Sequence, residues 1–215
     1  MTDEVKKNFP VDIEIVDDFL DHSYAQHLRE VVIDTKWNFN PNITLPEAPV
    51  DPWSFGFTHT LHNLIDRKFI TEVEGGLLWL PLILKVCSDF RLSKNQLLRA
   101  RLDMTTRVPG KKVHPIHVDY QSTKCISGIY YLDNSDGDTL IFEEKFDKYP
   151  EKDKEGRINL TAPAIENPPE NVKVKEMITP KRNRLVLFDG AYWHTGMSPM
   201  EHDNRTLLNF VFIVD

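Results

Sequence analysis

His117-Val118-Asp119 puts an imidazole and a carboxylate two residues apart. In an extended segment, residues i and i+2 point to the same side, so both groups can reach one ion. Far downstream, His194 closes a strand-like stretch, Phe188-Asp189-Gly190-Ala191-Tyr192-Trp193-His194. Two neutral imidazoles and one carboxylate on one face of a metal leave three positions open, the facial arrangement of non-haem Fe(II) centres. Open positions are what a bidentate co-substrate and dioxygen require. An H-x-D pair alone is weak evidence, because it arises by chance in many chains. The downstream order adds weight. Arg205 follows His194 by 11 residues and opens an apolar run, Arg205-Thr206-Leu207-Leu208-Asn209-Phe210-Val211-Phe212. A guanidinium fixed there is the natural partner of a distal carboxylate, which its planar fork binds through two parallel hydrogen bonds. Standing alone, Arg205 reads as a rim arginine capping a strand.

These residues need elements to position them. From Gln96 onward the hydrophobic period is two: Leu98, Ala100, Leu102 and Met104 alternate with Arg99, Arg101, Asp103 and Thr105, which predicts a strand with one buried face. Further strands are expected over 125–132, 139–142, 172–178, 184–188 and 205–214, with the turn Asp133-Asn134-Ser135-Asp136-Gly137 between the first two. Upstream, Val11 to Val16 reads as a short strand, and Asp21 as the N-cap of a helix carrying Tyr24, Leu28, Val31 and Val32 on one face. Pro41, Pro46, Pro49 and Pro52 mark a loop. Thr58 to Glu72 and Pro81 to Phe90 read as two more helices, Pro81 in a first-turn position. Helices followed by many short strands predict a mainly β protein with N-terminal helices packed outside a sandwich or barrel. One domain over 1–215 is expected, with a mainly helical support (1–95), a β core (96–215) and an inserted loop (143–169). The first 15 residues of that loop include 11 charged ones, which reads as a solvated loop or as a lid beside a site.

Composition bounds the partners. The 215 residues carry 26 basic and 33 acidic side chains, a formal charge of −7, which argues against general binding to nucleic acid. Forty per cent hydrophobic and 27% charged residues suit a folded globular chain. Cys87 and Cys125 cannot build a disulfide framework, and no segment reads as a leader or a membrane span, so a cytoplasmic location is expected. Of the eight histidines, His22, His27, His59, His62 and His202 show no ligand spacing. His114 is expected to point away from the metal side, Trp193 to pack, and Lys124 and Ser127 to be ordinary rim or core residues.

From about Leu97 to Val214 the chain resembles the 2-oxoglutarate- and Fe(II)-dependent dioxygenases, in their prolyl-4-hydroxylase-like branch. The resemblance rests on His117-Val118-Asp119, on Cys125-Ile126-Ser127-Gly128-Ile129-Tyr130-Tyr131-Leu132-Asp133, on the turn Asp136-Gly137-Asp138-Thr139-Leu140, on Pro180-Lys181-Arg182-Asn183-Arg184-Leu185-Val186-Leu187-Phe188, and on His194 and Arg205. It implies a double-stranded β-helix, the jelly-roll barrel, braced by helices. It implies that His117, Asp119 and His194 hold the metal, and that Arg205 and the Tyr131 hydroxyl hold the 5-carboxylate of 2-oxoglutarate. The implied cofactors are Fe(II), 2-oxoglutarate as co-substrate and O2, with ascorbate (vitamin C) as a candidate reductant. The implied reaction hydroxylates an unactivated C–H bond, with a prolyl residue of a protein or peptide as leading substrate. A free amino acid or other small molecule is the alternative, and a metal-binding jelly-roll module without turnover the non-enzymatic one. The chain departs from the pattern in three places. Met104-Thr105-Thr106-Arg107-Val108-Pro109-Gly110 lacks the tyrosine found before the H-x-D, Asn183 replaces a glycine, and Val211 stands where nucleic-acid demethylases carry a second arginine.

Overall fold

Strand-period alternation of apolar and polar side chains dictates most of the elements, and a computed structural model describes residues 12–41, 43, 53–110, 112–150 and 167–214. The strands are β1 (Ile13–Val16), β2 (Asn38–Asn40), β3 (Gly56–Asn63), β4 (Leu97–Thr106), β5 (Cys125–Tyr131), β6 (Thr139–Lys145), β7 (Val174–Ile178), β8 (Arg184–Asp189), β9 (Tyr192–Gly196) and β10 (Asn204–Ile213). They form a seven-stranded sheet, β1-β8-β5-β10-β4-β3-β2, facing a three-stranded one, β7-β6-β9, with antiparallel pairing throughout. This is the expected jelly roll.

Two helices cover the outer face of the large sheet. Helix α1 (His22–Val31) starts where Asp21 accepts the Ser23 backbone N–H at 2.9 Å, and α2 (Leu80–Phe90) carries Pro81 in its first turn. Leu28, Leu82, Ile83 and Val86 pack there against Ala100, Leu102, Leu208 and Phe210 in the main core. Burying side chains of this kind contributes about 1.5–3 kcal/mol each. A second core, with Ile129, Tyr131, Ile141, Phe188 and Leu207, joins the two sheets.

The structure corrects three expectations. Residues 58–63, read as the start of a helix, lie in β3, paired with β4 on one side and β2 on the other. Thr58 and Thr60 are β-branched and fit a pleated strand between two partners better than a helix. The expected loop from 143 begins later, because Glu143, Glu144 and Lys145 complete β6, and Phe146 packs edge-on to Trp193 with centroids 6.2 Å apart. Trp193 is therefore the packing residue expected. The remainder of that loop, residues 151–166, lies outside the described residues, as do the N-terminal residues 1–11 and Pro46, Pro49 and Pro52. Third, strand-like residues 188–194 split at Gly190 into β8 and β9, which belong to different sheets. Asn183 keeps its turn by adopting the left-handed conformation itself (φ 63). Its side chain accepts from the Leu20 N–H and the Tyr130 hydroxyl and donates to the Leu20 carbonyl, tying α1 to the sheet.

Candidate active site

The cavity between the two sheets measures about 100 Å³ and is lined by His117, Asp119, His194 and Arg205. One water needs about 10–15 Å³, so the space admits a small organic acid. His194 is carried by β9, whose neighbour β6 sets Ile141 opposite it. His117 lies on an isolated bridge to His194, with reciprocal backbone hydrogen bonds of 3.0 and 2.9 Å. That bridge brings the two ring centroids to 4.5 Å. One ligand atom from each of His117, Asp119 and His194 lies within 4.8 Å of the others.

The tautomers are set for ligation. His117 Nδ1 lies 3.1 Å from the Pro115 carbonyl and His194 Nδ1 lies 2.9 Å from the Tyr192 carbonyl. A carbonyl oxygen only accepts, so each ring carries its proton on Nδ1 and turns the Nε2 lone pair to the cavity. Burial and the neighbouring His194 depress His117 to about 4, so it is neutral near pH 7. This donor set fits a divalent metal of the non-haem iron type: two imidazoles and a carboxylate, oriented from behind.

Asp119 is held on both oxygens. Oδ1 accepts from Arg99 at 2.5 Å, and Oδ2 accepts from the Ser127 hydroxyl at 2.5 Å and lies 3.7 Å from His194 Nε2. Burial alone would raise the Asp119 pKa. The Arg99 guanidinium, His194, His117 and the Ser127 hydroxyl together outweigh it and hold the carboxyl well below the usual range. Asp119 is only 4% exposed, and an unpaired carboxylate at that depth costs several kcal/mol. Arg99 Nη2 also donates to Asn209 Oδ1 at 2.7 Å.

Arg205 is almost buried (8% exposed). Its Nη2 donates to Thr139 Oγ1 at 2.6 Å, and its Nε has no hydrogen-bond partner. Gly196 gives the guanidinium its room: a Cβ there would lie 3.2 Å from Arg205 Nη1. The Tyr131 hydroxyl is turned into the core, 2.6 Å from the same Thr139 oxygen. The hydroxyl that shares the cavity with Arg205 is thus that of Thr139, which relays the Tyr131 contact.

Sequence reasoning missed the wall opposite the triad. Arg99, Arg101, Asp103 and Thr105 on β4 line the cavity together with Asn209 on β10. Polar alternation on a strand ordinarily means solvent, but in a barrel the sheet has helices outside and a ligand space inside, so the polar face turned inward. Two arginines and an aspartate crowded on one strand face were the available signal. Ser127, expected to be ordinary, is fully buried against Asp119. His114, expected to point away, is also buried in the cavity wall, its Nε2 3.0 Å from the Ser198 hydroxyl.

No protein-family model matches the chain, and no curated protein matches its sequence. Solved structures do match it. The chain has the fold of the 2-oxoglutarate/Fe(II) oxygenases. It is similar to a prolyl hydroxylase from Trichoplax adhaerens in complex with a hypoxia inducible factor peptide fragment (14% identity, 94% of this chain and 83% of that one, TM-score 0.57). It is similar to a Pseudomonas putida prolyl-4-hydroxylase (13%, 94% and 92%, TM-score 0.56). It is also similar to HygX from Streptomyces hygroscopicus with nickel, 2-oxoglutarate and hygromycin B bound (11%, 94% and 82%, TM-score 0.56).

Proposed function

We propose that the protein is an Fe(II)- and 2-oxoglutarate-dependent dioxygenase that hydroxylates an unactivated C–H bond. The observation that carries this reading is the shared cavity, in which His117, Asp119 and His194 converge beside a buried Arg205 guanidinium that no described carboxylate pairs. A metal-binding module without turnover has no use for that second, anion-seeking group. The metal ligands would be His117 Nε2, His194 Nε2 and Asp119 Oδ2. Iron bound there supplies dioxygen activation, coupling decarboxylation of 2-oxoglutarate to succinate and CO2 with hydroxylation of the substrate. Arg205 binds the 5-carboxylate of the co-substrate, and Thr139, braced by Tyr131, fixes the guanidinium plane. Arg99 and Ser127 fix the rotamer of Asp119, and the two carbonyls behind the imidazoles fix theirs. In this reading α1 and α2 brace the barrel while β1, β2 and β3 extend its large sheet, and the whole chain acts as one catalytic domain.

For the substrate, the likeness to two prolyl hydroxylases supports a prolyl residue of a protein or peptide. The ion pair in the cavity wall favours the alternative, a free amino acid or other small molecule. The test of the reaction is direct. Protein with Fe(II) and 2-oxoglutarate under anaerobic conditions is expected to develop a visible metal-to-ligand charge-transfer band, and in air to form succinate. Absence of both rules the proposal out.

A further inference from the structure

We propose that the primary substrate is a small zwitterion, a free aliphatic amino acid, recognised by Arg101 and Asp103. This rests on the dioxygenase reading and adds to it the chemical class of the substrate.

Arg101 and Asp103 stand two residues apart on β4, so they share a face, and both line the cavity that holds His117, Asp119 and His194. They form a two-pronged ion pair, Nε to Oδ1 at 2.5 Å and Nη2 to Oδ2 at 3.0 Å. About a quarter of each side chain is exposed (27% and 22%), and that exposure opens into the cavity. The other charges there have assigned work. Arg99 holds Asp119, and Arg205 with Thr139 awaits the co-substrate. Arg101 and Asp103 hold neither.

Register shows where the pair sits. Arg101 lies opposite Asn209, and Asp103 opposite Leu207, in the β4–β10 pairing, with Arg205 opposite Thr105 at the end of the same row. A co-substrate on Arg205 occupies the β10 side. The pair stands one strand farther across and two to four residues along it, roughly 8 Å (Asp103) to 14 Å (Arg101) from Arg205 by backbone geometry. A molecule seated there meets a guanidinium that spends two of its five N–H groups on Asp103 among the described residues, and a carboxylate with spare lone pairs. Leu207, directly opposite Asp103 on β10, and Ile43 supply an apolar side to the same space.

The pair is neutral as a unit, so the ligand it fits best is neutral as a unit too, with carboxylate to Arg101, ammonium to Asp103 and alkyl chain against Leu207 and Ile43. A peptidyl proline has no charge to offer. Covering this ion pair with a pyrrolidine ring would strip its water without replacing the hydrogen bonds, which is unfavourable.

The experiment measures 2-oxoglutarate consumption by the Fe(II)-loaded full chain with L-leucine, L-isoleucine, L-valine and free L-proline, each compared with its amide, its N-acetyl form and a proline-containing peptide. At least one free amino acid is expected to stimulate consumption tenfold or more over its amide and N-acetyl forms. Arg101→Gln is expected to raise KM for the free acid and erase its advantage over the amide. Asp103→Asn is expected to erase the advantage over the N-acetyl form. Equal or better stimulation by capped forms or peptide, or no stimulation by any free amino acid, overturns the inference while substrate-free succinate formation leaves the dioxygenase reading standing. Absence of succinate and of the charge-transfer band overturns the reading beneath it. The wild-type comparison needs no variant, so a misfolded variant does not blunt the test.

Discussion

Replacing Arg99 by methionine removes the cation that holds Asp119 Oδ1 at 2.5 Å and keeps an unbranched stem of similar reach. The side chains are 15% and 4% exposed, so this is a buried pair. Breaking such a pair from one side costs about 3–5 kcal/mol, because the remaining charge is stranded. The low end applies, since Ser127 still donates to Oδ2 and the other Arg99 partner, Asn209, is neutral. For a chain of this size about 3 kcal/mol lowers Tm by roughly 6–12 °C. Thermal unfolding of EDTA-treated protein, followed by circular dichroism, reads this loss. Mn(II), a redox-quiet divalent ion, is expected to restore much of it, because the metal supplies the missing positive charge. The Tm gain on adding Mn(II) is therefore larger in Arg99→Met than in the native protein. Asp119→Asn closes a double-mutant cycle, with an expected coupling of at least about 2 kcal/mol. A coupling near zero, or an Arg99→Met melt within about 2 °C of native, would refute the electrostatic account of Asp119.

The other predictions concern ligands and pH. Arg205→Ala is expected to weaken 2-oxoglutarate binding to the Mn(II) form about a hundredfold, the worth of two charge-assisted hydrogen bonds, with metal affinity moved far less; calorimetric titration separates the two. Gly196→Ala places a Cβ 3.2 Å from Arg205 Nη1 and is expected to raise KM for 2-oxoglutarate about tenfold without unfolding the chain. His194→Ala is expected to abolish specific Mn(II) binding, measured by electron paramagnetic resonance. In metal-free protein His117 titrates at about 4 when folded and at the ordinary 6.5 when unfolded. The unfolded chain binds the extra proton between those values, so stability falls as pH drops from 6.5 towards 4, by up to about 3 kcal/mol. Urea midpoints at pH 7.5 and 5 measure the drop, and His117→Gln is expected to flatten it.

The metal-centre candidates were legible because ligation demands residue types and spacings that survive in one dimension: His117 and Asp119 by i, i+2, and His194 by its distance to Arg205. The jelly roll was legible because Cys125–Tyr131 and Asn204–Ile213 are runs rich in β-branched and aromatic residues bounded by turn residues. Two things were hidden. Phe57, Thr58 and Thr60 carry no periodicity that separates an internal strand from a helix, and only pairing with β4 settles it. Likewise, Arg99 and Ser127 lie 20 and 8 residues from Asp119, and nothing local marks them as its partners. Which face of β4 looks inward depends on where the helices pack, which is a property of the assembled barrel.

That inward polar face divides the labour of a single strand. On β4, Leu97, Ala100 and Leu102 belong to the core beneath the helices, while Arg99, Arg101, Asp103 and Thr105 front the ligand space. Neighbouring positions thus answer to different selective demands. Exchanges at 101, 103 or 105 can retune what the cavity accepts while the packed side stays untouched, so one barrel can be refitted to new substrates residue by residue without renegotiating its fold.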